Sequence, residues 1–476
     1  MRWLLLVLLV KALLLGWVIG NGTIGLSPDE AQYWTWSQAL DWGYYSKPPG
    51  IAWQIWLTTG ILGNNPLGVR LGALIIGFLL SLVVYGVARA AKLEKRVAVW
   101  AGVVAAVSPL GVYLSFAATT DGCAILFLTL ATAAVIRGPN YVWAGLCILA
   151  GALFKWTAFI FWPVLLPFLF FSKEMRKWSF VGGLALSLLA LLPSLYWNMN
   201  HEWATFKHVG TAVSEAKGGN FFDFLAAQIG LLSPIYFLLL IISYFFAKER
   251  RLWIAAAFPL VVLYLGLAFF KKIQPNWAAF LYPPGLVLIA WVACERLKRG
   301  FEWLVAGTAL SVIMVVGAFA IPWLQLPYKL NPFRQLVGWE KLAPALSEAG
   351  YNPQENFLFA DKYQNTSLLS FYAPAQKRAY YFNISETRKT QFSYWPQMQE
   401  REKGKTGYFV VIENRPTSDA PWYIQHYQER LKPYFERIIY KEAYPLYSVD
   451  GTPVKFALIF ECSNYSGLAP TDPQKF

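Results

Sequence analysis

Leu71-Gly-Ala-Leu-Ile-Ile-Gly-Phe-Leu-Leu-Ser-Leu-Val-Val-Tyr-Gly-Val-Ala88 runs without a charge and is followed at once by Arg89-Ala-Ala-Lys92-Leu-Glu-Lys95-Arg96. A helix rising about 1.5 Å per residue needs such a run to cross a hydrocarbon core roughly 30 Å thick, and a basic cluster at its end holds that end in the cytoplasm. The pattern recurs along the chain. Of 476 residues, 57% are hydrophobic, 17% aromatic and only 14% charged, against about a quarter charged in a soluble domain. Apolar blocks fall at 3–20, 67–88, 97–115, 123–136, 141–154, 157–171, 178–197, 229–247, 252–270, 278–294 and 303–323, which predicts about eleven spans, several of them short for a straight crossing. The first block contains Lys11 and is followed by no small-x-small cleavage pattern, so it reads as a retained span rather than a signal peptide.

The net charge of +14 does not indicate nucleic acid, because much of the excess sits in short loops: 89–96, Arg137, Lys173-Glu-Met-Arg176-Lys177, Lys248-Glu-Arg250-Arg251 and Glu295-Arg296-Leu-Lys298-Arg299. These loops share one side if every block crosses, and that side is the cytoplasm. The other side, the periplasm of a double-membraned bacterium, then receives 21–66, the turn Ala117–Asp121, the stretch 198–228, the loop Lys271–Trp277 and everything after Pro327. Four cysteines, three of them inside apolar blocks, form no disulfide framework or metal pair. Residues 1–328 read as a transmembrane domain including the outer loop 21–66. From Lys329 to 476 the composition turns mixed, with strand-like runs at Asn356–Ala360, Ala379–Phe382, Tyr408–Ile412 and Lys455–Phe460. Helices are expected at Thr366–Ala373 and Pro421–Lys432, giving a small outer α/β domain. The membrane part shows no internal repeat, which argues against a transporter of two related halves.

A charge at mid-bilayer costs about 2.5–3.5 kcal/mol, less near the interface, so each charge at the outer ends of spans needs a reason. Asp29 and Glu30 follow Ser27-Pro28, ahead of an interfacial helix over Ala31–Trp42; an acid there is either chemistry or a helix cap. Trp42-Gly-Tyr44-Tyr45-Ser46-Lys47-Pro48-Pro49 sets a Lys before two prolines that fix where its ammonium points, suiting an anionic headgroup or phosphate unless it merely snorkels. Asp121, in Thr119-Thr120-Asp121-Gly122, is a lone carboxylate between apolar blocks, and Lys155 is a lone cation that needs an anion. Lys271 and Lys272 open an outer loop where topology would not put them. His201, in Trp197-Asn198-Met-Asn-His201-Glu202-Trp203, is a ligand or an ordinary loop histidine. Carboxylates at 29, 30 and 121 and cations at 47, 155, 271 and 272 would thus converge on one face. A base beside a phosphate pocket is what transfer from a lipid phosphate to a hydroxyl or phosphate acceptor requires.

Leu26-Ser-Pro-Asp29-Glu30-Ala31, Tyr44-Tyr45-Ser46-Lys47-Pro48-Pro49, Thr120-Asp121, Phe154-Lys155-Trp156-Thr157, Trp197-Asn198 with His201-Glu-Trp203, and Pro275-Asn276-Trp277 together resemble the GT-C-fold glycosyltransferases. Within these the chain is most similar to the family-39-like and lipid A aminoarabinose-transferase-like members, and the likeness continues through Ala360-Asp361-Lys-Tyr363 to Tyr394-Trp395. The resemblance implies an inverting transfer of a sugar from a polyprenyl-phosphate donor to a lipid or glycan acceptor, lipid A or its core, on the outer face of the inner membrane. It makes Asp29 the candidate base with Glu30 its motif neighbour, Asp121 the second acid, and Lys47, Lys155, Lys271 and Lys272 the donor-phosphate residues. Tyr44, Tyr45, His201 and Asn276 are the candidate substrate contacts. The aminoarabinose transferases have Glu before the Lys-Pro-Pro, at a metal site, where this chain has Ser46; no cofactor is certain, and a divalent metal and the sugar stay open. The expected partners are the lipid-linked donor, the acceptor and membrane lipids, with no nucleic acid. A protein O-mannosyltransferase shares the Asp-Glu pair and the donor; a lipid-linked sugar flippase would need charges near the midplane.

Overall fold

The computed structural model describes residues 1–170, 178–214, 218–246, 257–324, 326–414 and 420–470. The chain is a polytopic helical membrane protein. By length and composition, five of the described helices can cross a membrane, Arg2–Gly20, Pro66–Ala90, Thr120–Arg137, Trp178–Met199 and Gly300–Trp323, or seven spans if two bent pairs each count as one. Part of the difference from eleven blocks has physical causes, and part is that 171–177 and 247–256, which cut the ends of three blocks, lie outside the described residues. The block 97–115 is bent by 61° between Lys95–Val107 and Pro109–Phe116, because Pro109 has no N–H to continue the ladder and Ser108 caps a new helix by accepting from Gly111 N. The block 229–247 is Pro234–Phe246, bent by 96° from Phe221–Leu232, so part of the expected outer stretch 198–228 is helical. Tyr141–Ala152, Trp156–Leu166 and Tyr282–Glu295 are shorter apolar helices. The basic clusters at 173–177 and 248–251 lie outside the described residues.

We label the first helices α1 (Arg2–Gly20), α2 (Pro28–Ser37), α3 (Gly50–Leu62), α4 (Pro66–Ala90), α5 (Lys95–Val107), α6 (Pro109–Phe116), α7 (Thr120–Arg137) and α8 (Tyr141–Ala152). Lys11, the charge inside α1, donates to the carbonyls of Ala106 at 3.1 Å and Gly111 at 3.4 Å. It thus satisfies backbone oxygens beside the α5–α6 bend that lipid could not. The helix expected over Ala31–Trp42 is α2, which ends at Ser37 and is buried from Glu30 to Ser37. It begins with a capping box, Ser27 accepting from Glu30 N and Glu30 accepting from Ser27 N, with Pro28 in its first turn.

The C-terminal part holds a five-stranded mixed sheet, β1 (Phe357–Ala360), β2 (Tyr380–Tyr381), β3 (Gly407–Glu413), β4 (Phe435–Val449) and β5 (Thr452–Tyr465), in the order β2-β1-β3-β5-β4. The helices expected there run Tyr363–Tyr372 and Ala420–Leu431. Sequence reading missed β4, a half-exposed edge strand with Pro445 at an irregularity of its pairing with β5, the one place in a sheet where proline is tolerated. This part is docked onto the segment that follows α1. Gly25 N donates to Leu336 O at 2.9 Å and Leu26 N to the Tyr372 hydroxyl at 2.6 Å. A side chain at position 25 would run into both acceptors. Trp34 of α2 meets Phe371 edge-on at 5.0 Å, and Leu26, Trp34 and Tyr44 share one buried cluster with Trp339, Leu346 and Leu369. Burial of each such side chain stabilises by roughly 1.5–3 kcal/mol.

Candidate active site

The capping box sets Glu30 inward and its neighbour Asp29 outward. Arg70, fully buried in α4, donates from Nε to Glu30 Oε1 and from an Nη to Oε2, both at 2.8 Å, while Ala118 N and Ser27 N each donate at 2.9 Å. The remaining Arg70 donors reach Ile24 O at 3.0 Å and Gly25 O at 2.7 Å, and its guanidinium sits 4.3 Å from the Phe116 ring. Burial opposes the charge on Glu30, but Arg70 and these donors outweigh it and hold the carboxyl below its ordinary range. Glu30, expected in catalysis, thus joins α2, α4 and the turn before α7 through its bonds to Ser27, Arg70 and Ala118.

Asp29 is different: solvent reaches its side chain, although protein encloses it on most sides. Burial, and next the nearby Glu30 charge, raise its carboxyl above the ordinary range against the pull of Lys47, Arg388 and a hydrogen bond from Tyr363. Asp121, in the first turn of α7, accepts from Lys155 Nζ at 2.6 Å through Oδ1 and from Asn276 Nδ2 at 3.1 Å through Oδ2. Three sequence-distant candidates, 121, 155 and 276, thus form one cluster.

Lys47 reaches this cluster because of Gly50. The amide of Gly50 donates to Leu153 O at 2.8 Å, and a Cβ there would strike that carbonyl and the Phe154 ring, so the chain just after Lys47 is pressed against the chain just before Lys155. Burial, then Lys155, lower the Lys47 pKa, while Asp121 and Asp29 oppose the shift. Lys47 closes a turn in which Tyr44 N donates to Lys47 O at 3.0 Å.

Of the expected substrate contacts, Tyr44 and Tyr45 are buried and His201 is half-buried. Tyr44 is fully buried, stacked on Trp36 at 4.6 Å, its hydroxyl donating toward Trp36 O and Ala39 O; it has no surface left for a ligand. His201 stacks on Trp197 at 4.0 Å with Nδ1 2.7 Å from Trp197 O, and Tyr394 lies 5.6 Å from its ring. Tyr45 is buried with its ring 4.9 Å from His208. Lys271 and Lys272 are both exposed, outside the charges that bear most on Asp29 and Lys47.

Three neighbours of the site were not foreseen, Arg70, His208 and Arg388, and a fourth, Tyr363, was seen only as part of the family likeness. Arg70 carried a signal, a lone cation inside an apolar block. Arg388 carried none, since only the sheet and its docking bring the loop after β2 here. Among the described residues no three His, Cys, Asp or Glu side chains group to ligate an ion.

The profile of the dolichyl-phosphate-mannose-protein mannosyltransferase family matches residues 46–197, the segment carrying Lys47, Asp121 and Lys155. The lipid A galacturonosyltransferase RgtD of Rhizobium johnstonii is 28% identical over 297 residues, 58% of this chain. That match spans only 62% of the relative's own length. Two crystal structures of ArnT from Cupriavidus metallidurans superpose along nearly all of both chains, covering 96% of this chain and 98% of the other at 15% identity. Their TM-scores are 0.65 for the apo form and 0.64 for the form bound to undecaprenyl phosphate. With its sheet docked on the segment after the first helix and its acids and cations gathered beside it, the chain has the GT-C fold of these structures.

Proposed function

We propose that this protein is an inverting glycosyltransferase that moves a sugar from a polyprenyl-phosphate donor to a lipid A or other glycan acceptor at the outer face of the inner membrane. The observation that carries this reading is Asp29, an accessible carboxylate beside the Lys47 ammonium, with the Lys155–Asp121–Asn276 cluster next to it. Asp29 orients the acceptor hydroxyl and takes its proton, the lysines draw the donor phosphate, and Asp121 holds Lys155 in place. A raised carboxyl pKa makes Asp29 a better base than a free aspartate. The fold shared with a polyprenyl-phosphate-bound ArnT and the likeness to a lipid A galacturonosyltransferase support donor and acceptor classes of this kind.

The family profile favours a second reading, a protein O-mannosyltransferase. Mass spectrometry of lipid A, glycans and envelope proteins with and without the gene separates them. A changed lipid or glycan with unchanged proteins is the expected outcome; a change confined to proteins would favour the second reading, and no change in any of them would remove both.

A further inference from the structure

The loop after β2 leaves the sheet and reaches the Tyr44–Lys47 turn. Gln391 Oε1 accepts from Tyr45 N at 2.7 Å, which pins the loop, and the Arg388 guanidinium lies 5.9 Å from the Tyr45 ring centre. One Arg388 Nη lies 2.7 Å from His208 Nδ1 and 3.0 Å from Nε2. A guanidinium can only donate, so the imidazole facing it is neutral; burial, then Arg388 and Lys47, depress the His208 pKa to about 4. The Tyr45 hydroxyl, buried and without a hydrogen-bond partner among the described residues, and the Tyr363 hydroxyl lie in its field. Among the described residues, no carboxylate hydrogen-bonds Arg388; its partner is the His208 ring.

The charges of the site then sort themselves. Glu30 is matched by Arg70 and Asp121 by Lys155. Among the described residues neither Lys47 nor Arg388 forms an ion pair with a carboxylate. Left over are Asp29, Lys47 and Arg388, whose charges act on one another, with the Arg388 guanidinium over the ring of Tyr45, two residues before Lys47.

We propose that Arg388, delivered by the C-terminal domain, and Lys47 together hold the phosphate of the lipid donor. The proposal rests on the glycosyl-transfer reading above and adds a phosphate ligand that no membrane helix supplies. Its charge balance follows the reaction. The donor phosphodiester and Asp29 each begin with one negative charge. The acceptor oxygen attacks the anomeric carbon, the carbon–oxygen bond to phosphate breaks with its electron pair remaining on the phosphate oxygen, and the hydroxyl proton passes to Asp29. Asp29 ends neutral and the phosphate monoester ends doubly negative. Two negative charges face two cations before and after, and the planar guanidinium offers two parallel donors to the phosphate oxygens.

The test is binding of undecaprenyl phosphate, which carries no sugar, to the full-length protein in nanodiscs, followed by tryptophan fluorescence, with thermal unfolding measured on each variant. Arg388→Ala is expected to weaken binding about tenfold to a hundredfold, and Arg388→Lys to restore part of it. Should Arg388→Ala unfold, Arg388→Gln keeps the hydrogen-bonding shape without the charge and should show the same loss. Wild-type affinity for undecaprenyl phosphate in a folded Arg388 variant, with transfer lost, would put Arg388 on the sugar or the acceptor and overturn the proposal. Failure of the wild-type protein to bind undecaprenyl phosphate would instead remove the glycosyl-transfer reading itself.

Discussion

Asp29 and Glu30 are adjacent acids with opposite surroundings, and their substitutions separate chemistry from architecture. Asp29→Asn keeps the volume and removes the charge, so transfer should fall by about 10²–10⁴-fold with unfolding temperature unchanged; wild-type turnover would return Asp29 to the role of a helix-cap acid. Glu30→Ala should instead lower stability, by about 3–5 kcal/mol, since it leaves the Arg70 charge buried without a partner, and thermal unfolding in detergent reads this directly. The pH dependences have opposite signs. The Asp29 pKa is raised, so its base form appears only at higher pH than for a free aspartate, and the acid limb of kcat/KM should lie above the ordinary aspartate range. The Glu30 pKa is lowered, so its contribution to stability is present above the ordinary glutamate range and disappears as pH falls through the lowered value.

At the scale of elements, the membrane part depends on close backbone approaches and on satisfied carbonyls. Gly145 of α8 and Gly183 of the helix Trp178–Met199 face each other so closely that a Cβ on either would strike the opposite backbone, the small-residue contact that lets membrane helices pack without a hydrophobic driving force. Gly145→Val should therefore destabilise by about 1–3 kcal/mol or force the two helices apart, seen as a lower unfolding temperature in detergent; an unchanged value would mean that the pair is not packed this way. Lys11→Leu suits lipid better by composition but strips the Ala106 and Gly111 carbonyls of their shared donor. It should cost about 1–3 kcal/mol rather than stabilise, by the same measurement.

At the scale of the whole molecule, the proposed site draws on both parts of the chain: α2 and the Lys-Pro-Pro turn would supply Asp29 and Lys47, and the loop after β2 Arg388. The docking bonds to Gly25 and Leu26 hold them in register. If this face is periplasmic, a reporter enzyme fused after Lys329 should be active only outside the cytoplasm and one fused after Arg299 only inside. The reverse result at either position would divide the charged cluster between two faces and undo the assignment.

Composition and the run of charge after apolar blocks determined, without any structure, that this is a multi-pass membrane protein, because desolvating a charge is so costly that its placement is written into the chain. The same cost made Asp29, Lys47, Asp121 and Lys155 conspicuous. The number and straightness of the spans were less legible: a bend at Ser108-Pro109 or Ser233-Pro234 leaves the hydropathy of a block untouched. Glu30 and Tyr44 looked no different from ligands until the fold supplied Arg70 and Trp36, since a side chain's engagement depends on what lies opposite it. Tertiary structure alone decided the places of Arg388 and His208: the docked sheet carries Arg388 to the Lys-Pro-Pro turn from the far part of the chain, and the helix Ala204–Ser214, tied to the turn by Thr205 Oγ1 donating to Tyr44 O at 3.1 Å, carries His208, and no local spacing encodes either meeting.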